Sequence, residues 1–205
     1  MLSIINHSFS YVMKICELYK IDESHGIKHS MEVYTFVKKI YKKEVLNNTY
    51  LKNQEMIIYL SAIGHDMCDK KYVDEKESII MYKKHLSKFI NIKDLEIIGK
   101  IIETMSYSKV KINGYPNMNE YNLAYHIVRE ADLLSAYDID RCIIYEMYKN
   151  NCDYSTALNK AFTLFDNRVF KMIEDNLFIT TYSKKKSIKL HNKALNRVNS
   201  LKELN

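Results

Sequence analysis

Four residues of this chain carry side chains suited to binding a divalent metal ion. They are two histidines and two aspartates spread over about half of the sequence: His29, His65, Asp66 and Asp132. Neutral imidazole suits manganese, iron, cobalt, nickel or zinc, and carboxylate admits the harder manganese and magnesium ions. We therefore predict that these four residues together bind one divalent ion.

The adjacent pair His65 and Asp66 is an unusual feature of this pattern. The pair follows the apolar helical segment 56–64, and two ionisable groups beside a core are costly to bury unless they are paired or metal-bound. Two imidazoles and two carboxylates would leave a divalent ion nearly neutral, with open positions for water and a phosphate oxygen. Open positions are typical of catalytic metal sites, whereas structural sites fill every position with protein ligands.

The four residues lie in three short strings of sequence. These read Ser-His-Gly-Ile-Lys-His at 24–29, Gly-His-Asp-Met-Cys-Asp-Lys-Lys-Tyr at 64–72 and Glu-Ala-Asp-Leu-Leu at 130–134. In order and spacing they resemble the H…HD…D signature of the HD-domain metal-dependent phosphohydrolases. The likeness is greatest to a small bacterial subgroup that reads S-H-G-x-x-H, H-D-x-x-D-x-K-Y and A-D-x-L. It covers about residues 24–141, and the helical tail resembles the family more loosely.

The resemblance implies an activity and a substrate class. Enzymes of this family hydrolyse phosphate esters or anhydrides, and the subgroup implies release of pyrophosphate from a nucleoside triphosphate. The four residues named above match the metal ligands of the family. Asp69 matches an acidic residue that orients or deprotonates the attacking water. The alternative for Asp69 is a carboxylate that only holds His65 or Lys71 in place.

The sequence also departs from the subgroup at two positions after the last aspartate. Leu133 stands where the subgroup has Arg, and Ser135 stands where it has a second Asp. Binuclear members of the family add histidines between the central pair and the last Asp, and here only His85 and His126 are candidates. Neither lies in a matching motif. We therefore predict a single metal ion, which would be manganese, magnesium, cobalt, nickel or iron, and keep the binuclear form as a lesser alternative.

Basic residues next to the strings are candidates for binding phosphate. Lys71 could pair with phosphate as a point charge and share in catalysis. Lys109 ends the segment Ser-Tyr-Ser-Lys at 106–109, which resembles a segment of the subgroup. Arg141 lies nine residues after Asp132, near the same helical face, and could bind phosphate through two hydrogen bonds. A solvated side chain or a surface ion pair is the alternative for each.

Two further residues are candidates for direct contact with the substrate. His25 lies four residues before His29, and so on the same face if the helix begins early. A helix cap or a solvent-exposed ring is the alternative for His25. Tyr72 lies in the second string, where its ring could stack on a base. Its alternative is a packing role, as for most of the 17 tyrosines.

The composition predicts one all-α domain that spans residues 1–205. One proline and four glycines are too few for a turn-rich β fold. The four cysteines show no C-x-x-C spacing, so we expect reduced thiols and a cytoplasmic location. We see no secretory leader, and no apolar run approaches the ~20 residues of a membrane span, so we expect no membrane association.

Apolar residues recur at spacings of three and four, which predicts helices along most of the chain. We expect them at about 4–19, from 29 onward, and at 53–64, 76–89, 94–107, from 121 onward, 154–175 and 182–204. The helix at 53–64 would deliver His65 and Asp66 at its C-terminal end, and the helix from Tyr121 would carry Asp132. Residues 108–120 hold the sole proline and an Asn-Gly pair, which predict a loop over the site.

Three other functions remain open from the sequence. A nucleotide monophosphatase would use the same metal chemistry. A related HD scaffold supports di-iron oxygenases, which need more histidine ligands than we can place here. The net charge of +6 would also suit a basic module that binds nucleic acid. We expect a small phosphorylated molecule as the partner rather than nucleic acid, because the signature residues predict a metal-dependent enzyme.

Overall fold

Helices make up the regular structure of residues 2–203, the part of the chain that the computed structural model describes. The all-α class predicted from the sequence is confirmed. The helices are α1 Leu2–Tyr19, α2 Ile27–Glu44, α3 Glu55–Gly64, α4 Glu75–Leu86, α5 Ile92–Thr104, α6 Tyr107–Asn113, α7 Asn122–Ser135, α8 Ile139–Lys149, α9 Tyr154–Leu164 and α10 Thr181–Glu203. Short 3₁₀ turns at Thr49–Gln54, His65–Cys68 and Asn119–Tyr121 and a π-helical turn at Phe165–Val169 complete them.

Helix α3 lies at the centre of the bundle. Its residues from Ile57 to Gly64 are all buried, and it contacts α1, α2, α5 and α7. A helix that is apolar on every side is stable in water only when other helices cover all of its faces. The 3₁₀ turn that follows α3 therefore begins in the interior, and it carries His65 and Asp66.

Helices α2 and α7 pack against each other and against α3. The apolar stripe expected after His29 is buried, with Val33, Val37 and Ile40 fully inside the core. Helix α7 buries Ile127, Val128 and Ala131 on its own apolar face. This packing directs one end of each helix toward the end of α3.

The predicted loop over residues 108–120 is partly helical, because α6 occupies its first half. The Ser106 hydroxyl caps α6 by accepting a hydrogen bond from the backbone N–H of Lys109. Gly114 follows the helix with a φ of +72°, a positive value that glycine adopts readily because it has no Cβ. The Asn-Gly pair was thus a helix terminus and not a mid-loop turn.

Two other elements differ from the sequence prediction. Helix α8 was not predicted, and it begins where the Asp138 carboxylate caps the backbone N–H of Asp140 at 3.1 Å. The helix predicted at 154–175 ends its regular part at Leu164 and continues as a π turn. Leu204, the predicted end of the last helix, lies outside the described residues. None of the described helices is both long and apolar enough to cross a membrane.

Gly64 is the point where α3 passes closest to another element. A methyl group on Gly64 would collide with the ring of Tyr82 on α4. Tyr82 cannot withdraw easily, because it is fully buried and its hydroxyl donates to the Leu60 carbonyl at 2.8 Å. The same hydroxyl lies 2.7 Å from Ser8 Oγ. Only glycine fits at this position without moving the buried ring.

We expect Gly64→Ala to lower the free energy of unfolding by about 1–3 kcal/mol, the usual range for overpacking a core. Gly99→Ala in α5 is the matched control, because the atoms nearest to Gly99 belong to the side chains of Lys83 and Ile79. Alanine is also favoured over glycine within a helix by about 1 kcal/mol. Urea denaturation of both variants measures the difference, and an equal loss in both would contradict the prediction.

Candidate metal centre

The four predicted metal ligands come together from three elements of the bundle. Helix α2 carries His29 in its first turn, the 3₁₀ turn after α3 carries His65 and Asp66, and α7 carries Asp132. His29, His65 and Asp66 are buried. Residues separated by about a hundred positions in the sequence thus form one side-chain cluster, which we call the His-Asp cluster.

The atoms that could bind a metal lie close together within the His-Asp cluster. The Nε2 atoms of His29 and His65 are 3.2 Å apart. Asp66 Oδ2 is 3.0 Å from His29 Nε2, and Asp66 Oδ1 is 3.2 Å from His65 Nε2. Asp132 Oδ1 lies 3.5 Å and 3.6 Å from the same two nitrogens. Two nitrogen and two carboxylate donors therefore face one small volume.

The hydrogen bonding of the His-Asp cluster fits a divalent cation. His65 Nδ1 lies 2.8 Å from the Ala62 carbonyl and donates to it, so the ring would present its Nε2 lone pair to the cluster once a metal ion displaces the proton there. Asp66 Oδ2 is buried and makes no hydrogen bond to any described residue, because its short contact with His29 lacks hydrogen-bond geometry. A cation between the rings would satisfy these lone pairs, and the mixed nitrogen and oxygen donors suit the ions predicted from the sequence.

The carboxylates of the His-Asp cluster control its protonation. Burial by itself lowers the pKa of His65, but Asp66 and Asp132 outweigh that effect and raise this pKa to about 9. Burial raises the pKa of Asp132, yet His29 and His65 hold it well below its usual range. The carboxylates are therefore ionised at neutral pH, and a proton on His65 balances part of their charge. A metal ion would replace that proton, since a ligating imidazole must be neutral.

A cavity of about 420 Å³ lies beside the His-Asp cluster, and His65, Asp66 and Asp132 line it. Asp69 and Lys71 also line this cavity. The apolar part of its lining comes from α5, α7, α9 and the turn after α9, through Ile102, Leu133, Leu164 and Val169, and from Met105 just after α5. The cavity thus combines polar and apolar lining groups, as small-molecule sites usually do.

Asp69 and Lys71 contact each other at the edge of the cavity. Asp69 Oδ1 accepts a hydrogen bond from the Lys71 backbone N–H at 2.8 Å, and Asp69 Oδ2 is 3.4 Å from Lys71 Nζ. These contacts support the alternative in which Asp69 holds Lys71. Asp69 remains exposed to the cavity, so its predicted role toward an attacking water stays a prediction.

His25 and Tyr72 belong to one hydrogen-bonded group, but only His25 lines the cavity. Lys71 Nζ donates to His25 Nε2 at 3.2 Å, and Tyr72 OH lies 3.2 Å from His25 Nδ1. Burial lowers the pKa of His25 to about 4, so the ring is neutral at pH 7. The Tyr72 hydroxyl donates a hydrogen bond to Asp22 Oδ2 at 2.6 Å and contacts the His25 ring through the same oxygen. Sequence reasoning did not single out Asp22 as part of the site.

Arg141 reaches the cavity from a different helix than predicted. It lies on α8 and Asp132 lies on α7, so the two residues do not share a helical face as their spacing had suggested. Arg141 Nε donates to the Ser24 carbonyl at 2.6 Å, and Arg141 Nη1 donates to Ser135 Oγ at 2.8 Å. The serine that departs from the subgroup pattern therefore helps to orient this arginine.

Lys109 lines the cavity, but its ammonium is already bound by the protein. Its Nζ is 2.5 Å from Glu75 Oε1 on α4 and 2.5 Å from the Glu103 carbonyl on α5. The predicted phosphate contact would require Lys109 to leave or share these partners. In this arrangement Lys109 ties α6 to the two neighbouring helices.

The remaining candidate histidines do not reach the His-Asp cluster. The His85 ring stacks on His7 with ring centroids 3.8 Å apart. His126 contacts the Tyr115 ring, and its Nδ1 lies 3.4 Å from a guanidinium nitrogen of Arg129. Both rings make contacts within the fold, and neither belongs to the His-Asp cluster; the single metal ion stays a prediction.

Comparison with known proteins reveals the fold of this chain in a solved structure. A crystal structure of a Lactobacillus plantarum protein is similar to it, with a TM-score of 0.72 and 19% sequence identity. The similarity covers 99% of this chain and 97% of that one. At this identity the likeness shows the fold alone. No family model and no curated protein matches the chain.

We expect Asp66→Ala to weaken Mn²⁺ binding by more than about 100-fold, because residues that only support a ligand already contribute about 10- to 100-fold. Calorimetric titration of the metal-free protein with MnCl₂ measures the affinity, and circular dichroism checks that the helices remain. Asp140→Ala is the matched control, since Asp140 is exposed and pairs with Arg197 on α10. Equal Mn²⁺ affinity in Asp66→Ala and in the unmodified protein would remove Asp66 from the site.

Proposed function

We propose that this protein is a metal-dependent phosphohydrolase that acts on nucleotides and releases pyrophosphate from nucleoside triphosphates. The observation that carries the proposal is the convergence of His29, His65, Asp66 and Asp132 beside a cavity. The three sequence strings that resemble the HD-domain family supply the reaction class. The choice of pyrophosphate as the product rests on the likeness to the bacterial subgroup.

The protein's own residues would prepare the site for a metal ion. A bound divalent ion supplies acidity to a water molecule and polarises a phosphoryl oxygen. The Ala62 carbonyl fixes the His65 ring and its tautomer, and the protein environment keeps Asp132 ionised. These residues would therefore offer their lone pairs without a large rearrangement.

The residues at the edge of the cavity would complete the reaction site. Asp69 would orient the attacking water or accept its proton, while Lys71 and Arg141 would neutralise phosphate oxygens. Arg141 keeps guanidinium N–H groups beyond those that its Nε and Nη1 donate to Ser24 and Ser135. The apolar wall formed by residues such as Ile102 and Leu133 would suit the flat face of a base.

The shape of the site favours a small nucleotide over a long nucleic acid. The basic residues Lys71 and Arg141 face a cavity of about 420 Å³, which is within the usual size of small-molecule sites. A nucleic-acid module would instead follow the phosphate backbone with a continuous basic surface. Binding to long nucleic acid that survives chelation would favour that alternative.

A nucleotide screen tests the proposed reaction directly. Purified protein is incubated with nucleoside triphosphates and monophosphates in the presence of Mn²⁺, Mg²⁺, Co²⁺ or Ni²⁺, and the products are identified by ion chromatography. We expect pyrophosphate from a triphosphate, loss of turnover on chelation, and no turnover in Asp66→Ala. Orthophosphate as the product would reject the pyrophosphohydrolase in favour of a phosphatase, and inactivity with every metal would reject the hydrolase.

We expect Asp69→Asn to lower kcat by about 10²–10⁴-fold, the usual contribution of a general base, while Mn²⁺ affinity stays unchanged. Lys71→Met is the matched comparison, because Asp69 contacts Lys71 through both its backbone and its ammonium. If Asp69 only holds Lys71, the two variants should have similar kcat and KM values. A general base makes kcat/KM fall at low pH, where the base is protonated. If Asp69→Asn loses this fall and Lys71→Met keeps it, the result would support Asp69 as the general base.

A further inference from the structure

Arg168 reaches the cavity from the π-helical turn that follows α9. In this turn the Phe170 N–H donates to the Phe165 carbonyl, five residues earlier, at 2.9 Å. The wider turn adds a residue relative to an α-helix and shifts the side chains that follow. Such π turns occur frequently at functional sites. Here the turn places Arg168 on the cavity wall, together with Val169.

The guanidinium of Arg168 has no anionic partner among the described residues. It stacks over the ring of Tyr107 at 4.0 Å from the ring centroid. Between residues 2 and 203 it makes neither an ion pair nor a side-chain hydrogen bond, and its Nε is shielded from solvent without a partner. Partly buried cations normally have an anion or several acceptors beside them. The Arg168 guanidinium is therefore available to a ligand in the cavity.

The other lysine and arginine residues that line the cavity have protein partners or are solvated by water. Arg141 donates to Ser24 and Ser135, and Lys109 is bound by Glu75. Lys160 pairs with Glu146 at 3.0 Å, and Lys71 pairs with Asp69. Lys70 is exposed, so water can solvate it. Arg168 thus combines partial burial, a cavity position and N–H groups without an acceptor in the part of the chain that the structure describes.

Arg168 is also within electrostatic range of the His-Asp cluster. Burial lowers the pKa of the Arg168 guanidinium, the Asp132 carboxylate raises it, and the Arg141 charge lowers it. The two arginines and the Asp132 carboxylate all line the same cavity. Like charges repel each other in such a place unless an anion lies between or beside them.

We propose that Arg168, supported by Tyr107 and lining the same cavity as Arg141, forms a second anion subsite that binds a phosphate other than the one at the His-Asp cluster. The proposal rests on the proposed function and assigns one phosphate of the substrate's triphosphate chain to Arg168. The planar guanidinium can bind a phosphate through two parallel hydrogen bonds, which lysine cannot do. A monophosphate would reach only one of the two positions.

Binding of inorganic tripolyphosphate to the metal-free protein tests the subsite without any turnover. We expect Arg168→Met to weaken this binding by about 10- to 100-fold, which is the scale of one charge-assisted contact. Arg168→Lys keeps the charge but not the paired hydrogen bonds, so its loss should be smaller. Calorimetric titration measures both affinities, and thermal melting checks that both variants are folded.

Arg197→Met is the matched control, because Arg197 is an exposed arginine on α10 that pairs with Asp140. Its tripolyphosphate affinity should equal that of the unmodified protein. Unphosphorylated adenosine serves as a second probe, and its binding should not depend on Arg168. Unchanged tripolyphosphate affinity in both folded Arg168 variants would overturn the subsite. Equal weakening of adenosine binding would also overturn it, since Arg168 would then serve the base.

The test of the Arg168 subsite can fail or succeed independently of the test of the proposed hydrolase activity. If the nucleotide screen finds no hydrolysis but tripolyphosphate binding depends on Arg168, the reaction is rejected and the anion subsite stands. If a triphosphate is hydrolysed but tripolyphosphate binding is independent of Arg168, the subsite is rejected and the hydrolase stands.

Discussion

Burial of the end of α3 is the constraint on which the rest of the structure depends. The helix is apolar on every side, so α1, α2, α5 and α7 surround it. The turn that follows brings His65 and Asp66 directly into the interior, where unpaired charges are strongly unfavourable. His29 from α2 and Asp132 from α7 meet them there, and the packing of these helices thus assembles the His-Asp cluster.

Charge balance links the His-Asp cluster to the cavity beside it. The carboxylates raise the pKa of His65 to about 9, so without a metal ion the cluster holds a proton at the position that the ion would take. With a divalent ion the cluster would be close to neutral. Attraction of an anionic substrate would then depend on the basic residues of the wall, and Arg141 and Arg168 are the two that face the cavity as guanidinium groups.

Several polar side chains near the site bind other parts of the protein. Tyr72 donates to Asp22 and supports His25, and Lys109 joins α6 to Glu75 on α4. These contacts hold the rim of the cavity in one arrangement, since each hydrogen bond restricts two side chains. A rigid rim would preserve the relative positions of His25 and the His-Asp cluster while a ligand binds.

The sequence by itself determined the all-α class and most of the helix positions, because helical periodicity is a local property, and it singled out the four residues of the His-Asp cluster, because three short motifs carry them. Only the tertiary structure decided which partners the polar residues around the cavity contact. Arg141 contacts Ser24 across 117 positions of sequence, and Lys109 contacts Glu75 across 34. Arg168 lies in no motif, and its position follows from a π turn whose register depends on packing around it. Such contacts depend on how distant segments meet, and no local pattern encodes them.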